Sequence, residues 1–97
     1  MPTKRFIIIH PKDNVATAIA ELARGETVNL DEPPAGRKVT MSEAIPYGHK
    51  FAVRPITSGE EILKYGECIG RACRDIGAGA HVHVHNVESL RGRGDLT

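Results

Sequence analysis

The sequence predicts a mainly-β domain with one helix, arranged as a compact barrel-like or folded-ribbon unit. Two observations predict the sheet: apolar residues come in short pieces, and nearly every piece ends at Gly or Pro. A third predicts the helix, because Val15, Ala18, Ile19 and Leu22 recur at helical spacing behind Asp13.

Residues 5–10 (RFIIIH) are rich in β-branched side chains and stop at Pro11, as a buried strand would. The helix is expected to follow, with Asp13 as its N-cap and Gly25 as its C-terminal stop. Residues 27–30 and 38–41 read as strands on either side of the Pro33-Pro34-Ala35-Gly36 loop. Ile45-Pro46-Tyr47-Gly48 is a turn into a strand over 49–56, and Ser58-Gly59-Glu60 is a turn into one over 61–65. Residues 67–73 and 80–87 complete the strands, with a turn over 76–79 between them. No internal repeat or low-complexity tract is evident. The Gly/Arg-rich tail, residues 91–97, has the composition of a flexible arm, so the domain is expected over 1–90.

Composition narrows the function. The chain has 97 residues, enough for one domain with a modest core. With two Phe, two Tyr and no Trp, that core must rest on aliphatic side chains, which are poorly suited to walling off a large dry catalytic cavity. Thirteen Lys and Arg against twelve Asp and Glu leave a net charge of +1, and no aromatic platforms interleave them, which argues against nucleic acid as a partner. No apolar run approaches the roughly 20 residues of a membrane span, and no signal-peptide pattern opens the chain. Two cysteines are too few for a secreted disulfide scaffold, so a cytoplasmic protein is expected.

The densest chemistry lies in His81-Val82-His83-Val84-His85-Asn86. In a strand, period-2 alternation would set the three histidines on one face, with neighbours roughly 6.5–7 Å apart and the outer pair roughly 13 Å apart. A His-x-His pair such as His83 and His85 could then share a metal, while a polar solvated strand face accounts for the pattern equally well. His49 and Lys50 follow Gly48 and could offer an imidazole and an ammonium to an anionic ligand, although a turn with a solvated lysine is the simpler account. Cys68 and Cys73 lack zinc-site spacing and read as free, buried or half-buried thiols. Glu60, Glu61 and Glu67 flank turns and read as solvated, and the Arg93-Gly94-Asp95 tripeptide reads as coincidence.

Taken in order, three segments resemble one family. They are Ile9-His10-Pro11-Lys12-Asp13-Asn14-Val15-Ala16, Ile45-Pro46-Tyr47-Gly48-His49-Lys50-Phe51-Ala52, and Ile62-Leu63-Lys64-Tyr65-Gly66-Glu67-Cys68-Ile69-Gly70. Together with His83-Val84-His85-Asn86-Val87 and the Gly92-Arg93-Gly94-Asp95 arm, they resemble the N-terminal domain of the altronate/galactarate dehydratase family. The resemblance runs from about Phe6 to Leu96 and implies a SAF-type β-clip fold.

It also implies a function. Fused members of the family place such a domain before a larger catalytic domain. This chain ends where that domain would begin, and so resembles the small subunit of a split hydro-lyase acting on a hexonate-like sugar acid. The implied partner is a larger dehydratase subunit, and a divalent metal of the Fe or Mn type is expected mainly there. His49, His83 and His85 would then serve as acid or base, with Lys50 and Asn86 contacting substrate. Many fused members have a bulky apolar residue in place of His81, so the resemblance carries over to His83, His85 and Asn86 rather than to His81. Galactarate-type members diverge through the histidine stretch, which points to an altronate-like substrate. A sulfolactate sulfo-lyase small subunit, a cap that merely stabilises a larger subunit, and a free-standing module with His81, His83 and His85 as metal ligands are the alternatives.

Overall fold

The computed structural model describes residues 5–8, 10, 12–30 and 37–89. The tail over 91–97 and the Pro33-Pro34 loop lie outside them.

The described chain is all β and turn, with no helix among the described residues. Strands β1 (Phe6–Ile7), β2 (Val15–Ala18), β5 (Lys50–Ala52) and β8 (His81–Val82) form an antiparallel sheet in the order β1-β2-β5-β8. A hairpin of β3 (Thr27–Asn29) and β4 (Lys38–Thr40) forms a second sheet, and β6 (Glu61–Lys64), β7 (Glu67–Ala72) and β9 (Val87–Ser89) form a third.

The expected helix is replaced by β2 and the turn after it. Asp13 is no N-cap: its carboxylate accepts the N–H groups of Tyr65, Gly66 and His10 at 2.9, 2.8 and 3.2 Å, tying the start of β2 to the β6–β7 hairpin. Burial would raise the Asp13 carboxyl, but the three N–H donors outweigh it and hold the pKa below the ordinary value. The reason β2 is extended lies in its position between two cores. Ala16 and Ala18 belong to one cluster with Leu22, Val28, Met41, Ile45 and Phe51, whereas Val15 belongs to another with Ile56, Ile62, Ala72, Ile76 and Val82. β5 divides in the same way, with Phe51 in the first cluster and Ala52 in the second. Alternation at period 2 is what lets a single strand feed both cores, and a helix at this place would bury only one stripe.

A repeat that is faint in the sequence is plain in the structure. Four times the chain runs through a buried Leu or Ile and then a four-residue turn whose third residue is a glycine at positive φ: Gly25, Gly48, Gly59 and Gly79. Each turn closes with an i to i+3 hydrogen bond, Ala23 C=O to Glu26 N–H, Pro46 to His49, Thr57 to Glu60 and Gly77 to Ala80, at 2.8–3.1 Å. These are type II turns, in which Gly alone takes the third place without strain. The turns pair through backbone bridges, Leu22 with Ile45 and Ile56 with Ile76. Their outer bonds match as well: Gly25 N–H to Met41 C=O (2.8 Å) parallels Gly59 N–H to Ala72 C=O (2.7 Å), and Gly48 N–H to Ala18 C=O (2.8 Å) parallels Gly79 N–H to Ala52 C=O (2.8 Å). The two halves follow one hydrogen-bonding plan, each carrying one hairpin, β3–β4 or β6–β7.

Candidate functional site

The segment over 80–87 is not one strand. β8 ends at Val82, and a turn then reverses the chain into β9. Asn86 holds this turn: its N–H donates to the His83 carbonyl at 3.1 Å, its Oδ1 accepts the His83 N–H at 2.9 Å, and its Nδ2 donates to the His81 carbonyl at 2.8 Å. The side chain is only 5% exposed, and both its polar atoms are used inside the turn.

The turn folds the histidines together more tightly than a strand would. The ring centroids of His81 and His83 lie 5.3 Å apart, and those of His81 and His85 lie 5.4 Å apart. His49 joins them from the residue before β5, because the antiparallel β5–β8 register that sets Phe51 opposite His81 and Lys50 opposite Val82 runs on to bring His49 alongside His83. Its ring stacks on His83 at 4.4 Å and on His81 at 5.0 Å, and its Nδ1 shares a hydrogen bond of 2.8 Å with Nε2 of His81. His49 and His81 are half-buried, whereas His83 and His85 are exposed.

Crowding disfavours the charged forms of His81 and His83. Burial, and then the neighbouring His49, His83 and His85, lower the pKa of His81, while Glu43 works in the opposite direction. Burial, His49, Lys50 and His85 lower that of His83. The Glu43 carboxylate reaches the strand rather than the rings, accepting the His81 backbone N–H at 3.2 Å.

Beside the rings lies a cleft of about 250 Å3 lined by Lys50, Ile62, Ile69, Val82, His83, Val84 and Val87. Lys50 is half-buried, and desolvation followed by the nearby Lys64 lowers its pKa. Its aliphatic neighbours make an apolar trough with one cation and one imidazole on its wall. Val84 is 81% exposed at the rim.

The arrangement sets a lysine and an imidazole on one apolar wall, close to His81, whose charged form, like that of His83, is disfavoured. The relatives say in which family it occurs. A family profile described as the altronate/galactarate dehydratase SAF domain matches residues 4–90.

The chain belongs to this family.

The absence of a helix among the described residues and the mainly-β architecture agree with a SAF β-clip domain. Altronate dehydratase of Escherichia coli (strain K12) is 45% identical over 85 residues, 88% of this chain and 16% of that enzyme. Altronate dehydratase of Bacillus subtilis (strain 168) is 38% identical over 86 residues, again 16% of its length. The (2R)-sulfolactate sulfo-lyase subunit alpha of Chromohalobacter salexigens is 47% identical over 51 residues, 53% of this chain and 54% of that protein. The chain thus spans about a sixth of the length of the two dehydratases.

Of the residues singled out in the sequence, the SAF domain brings His49, His83, His85 and Lys50 into one region and places Asn86 beneath them. His81 was set aside on the resemblance, yet it sits at the centre of the ring cluster. The fifth histidine, His10, lies elsewhere, its ring against Gly66 and its Nδ1 accepting the Lys12 N–H at 3.1 Å. Cys73 is exposed and Cys68 half-buried; neither forms a disulfide, and burial raises the Cys68 thiol. Glu60, expected to be solvated, instead accepts the Thr57 N–H at 3.0 Å and pairs with Arg54 at 2.8 Å.

The divalent metal expected from the family resemblance has a candidate set of ligands among the described residues. One nitrogen from each of His49, His81 and His83 lies within 4.8 Å of the others. Ligand nitrogens about 2.0–2.1 Å from one ion are about 3.0–3.4 Å from each other, so small side-chain rotations bring the three to that spacing. The donor set fits. His85 stands outside this triangle.

Proposed function

We propose that this chain is the SAF subunit of a sugar-acid hydro-lyase and lends its imidazoles and Lys50 to an active site completed by a larger subunit. The observation that supports this most is the convergence of four imidazoles beside one open cleft whose wall carries His83 and the half-buried Lys50. A cleft half-walled by this small chain is suited to closure by another surface.

In such a reaction, an acidic proton leaves the carbon next to the carboxylate, and hydroxide leaves the next carbon as water. Lys50, on the cleft wall, attracts the substrate carboxylate, and its aliphatic surroundings strengthen that attraction by excluding water. His83 on the same wall, with His49 stacked on it and His85 nearby, supplies a base for the α-proton and an acid for the departing hydroxyl. A divalent ion held by His49, His81 and His83 would supply charge stabilisation beside the substrate carboxylate. Asn86 acts by holding the turn rather than by reaching substrate. In this reading the substrate is altronate-like and the compartment is the cytoplasm. The partner carries the rest of the machinery, and any Fe- or Mn-type ion of its own.

One observation favours a second reading. The matched sulfo-lyase relative is itself named as a subunit, and the aligned segment spans over half of it. Elimination of sulfite from a hydroxy acid uses the same α-proton removal. Affinity capture of this chain from its host should recover a larger subunit, and the complex should dehydrate altronate. Replacing His83 and His85 by Gln should lower turnover about 100-fold or more with assembly intact. Unchanged turnover would remove the histidines from the mechanism, and release of sulfite instead of water would select the second reading.

A further inference from the structure

We infer that this chain itself carries a tri-imidazole metal site, His49, His81 and His83, selective for a late first-row divalent ion such as Zn2+ or Co2+. The inference stands on the geometry of the rings and does not depend on which substrate the assembled enzyme takes; with the ion bound, His49 and His83 serve as ligands and His85 is the imidazole left to carry protons.

Three features carry it. First, the donor atoms already converge: Nδ1 of His49 and Nε2 of His81 are 2.8 Å apart, and one ring nitrogen from each of His49, His81 and His83 lies within 4.8 Å of the others. Separating the first pair by a few tenths of an ångström and drawing the third inward gives the spacing of ligands around one ion. Second, the backbone beneath each ligand is fixed. His49 closes a type II turn onto Pro46, His81 is paired in the sheet with Phe51, and Asn86 bonds the backbone of both His81 and His83. A fixed scaffold lowers the ordering cost of binding. Third, the converging donors are all ring nitrogens: the group among the described residues is His49, His81 and His83. The nearby Glu43 carboxylate accepts the His81 backbone N–H at 3.2 Å instead of joining them.

The donor type sets the selectivity. Three nitrogen ligands with no carboxylate among them favour Zn2+, Co2+, Ni2+ or Cu2+ over Mg2+, Ca2+ and Mn2+. Three protein ligands also leave a coordination position free, as in catalytic rather than structural sites. His83 is exposed and lines the cleft that Lys50 also lines, so that position is open to a small ligand from the cleft.

The test uses the 97-residue chain without a histidine tag, titrated with Co2+ at pH 7.5 and followed by visible absorption, then displaced with Zn2+. A single ion per chain is expected, with a low-coordinate d–d spectrum. Each of His49→Gln, His81→Gln and His83→Gln should weaken Co2+ binding at least about tenfold, since second-shell changes alone cost that much. His10→Gln and His85→Gln should leave it unchanged. Absence of saturable binding overturns the site, as does an equal loss in His10→Gln or His85→Gln. Should a glutamine variant fail to fold, imidazole NMR of the unmodified chain decides instead. Zn2+ must then shift the ring signals of the three ligands and spare His10, and any other pattern overturns the assignment.

Discussion

The Asn86 side chain satisfies two backbone groups of the segment that carries His81 and His83, in a place where water does not reach it. Removing it leaves the His83 N–H and the His81 carbonyl without their partner, at a cost of about 1–3 kcal/mol. Asn86→Ala is therefore expected to lower the unfolding free energy by that amount, read from urea denaturation, and to loosen the His83 ring from His49. Loss of the nuclear Overhauser contacts between those rings would report the second effect, and their retention would show the turn to be held by other means. Two carboxylates show a comparable economy of contacts. Glu26 accepts the Ala23 N–H across its turn and pairs with Arg5, and Glu60 accepts the Thr57 N–H and pairs with Arg54. Those N–H donors, reinforced by the arginines, hold both carboxyls below their ordinary value of 4.5. A carboxyl with a lowered folded pKa stabilises the fold above the unfolded pKa, and that contribution is lost as pH falls through the folded value. Stability should then decline as pH drops below about 4.5, and the double variant Glu26→Gln, Glu60→Gln should flatten that decline. An unchanged acid limb in chemical denaturation at graded pH would refute it. The histidine triplet was legible in the sequence as a concentration of ligands. That His49, 32 residues before His81, completes it was not, because only the β5–β8 register brings them together.

At the scale of elements, the turns were legible and the segment before the first of them was not. Residues 27–30, 38–41 and 61–65 emerge as β3, β4 and β6 with ends close to those expected, since β-branched residues bounded by Gly or Pro leave little choice. The helix failed for an identifiable reason. A glycine at positive φ ends a helix in the left-handed region and equally fills the third place of a type II turn, so Gly25 signals both. The apolar residues 15–22 were assigned to one stripe, whereas two cores divide them. Glycines of similar φ should also differ sharply in what they tolerate. A Cβ on Gly79 would clash with the Thr40 carbonyl oxygen, whereas one on Gly25 meets nothing within 4 Å. Gly25→Ala carries only the left-handed backbone penalty of about 1–2 kcal/mol. Gly79→Ala adds a backbone clash and should cost about 4 kcal/mol or more, in the range that marks exceptional sites. Thermal melts separate the two, and equal melting temperatures would mean that the Thr40 strand end yields freely.

For the molecule as a whole, the repeated turn plan explains why so small a chain can support a site. Two modest cores flank β2 and β5, and each strand contributes side chains to both, so neither core is independent of the other. Asn14 reinforces the joint: fully buried, it donates from Nδ2 to the Glu61 carbonyl and accepts the Leu63 N–H, both at 2.8 Å, stitching β2 to the second hairpin. The cleft and the histidines sit where β5 and β8 run past that hairpin, so the site depends on the junction of the halves rather than on either alone. Unfolding is consequently expected to be a single transition. Phe51 is fully buried in the first core and packs edge-on against Phe6 with ring centroids 6.0 Å apart. Phe51→Ala should cost about 3–5 kcal/mol. A domain of this size has about 5–15 kcal/mol in all. That loss should be felt in the second core too. Amide exchange in β6 and β7, which hold none of the first core, should accelerate as much as exchange in β3 and β4. Acceleration confined to the first hairpin would show that the halves unfold separately and that the site survives on one of them.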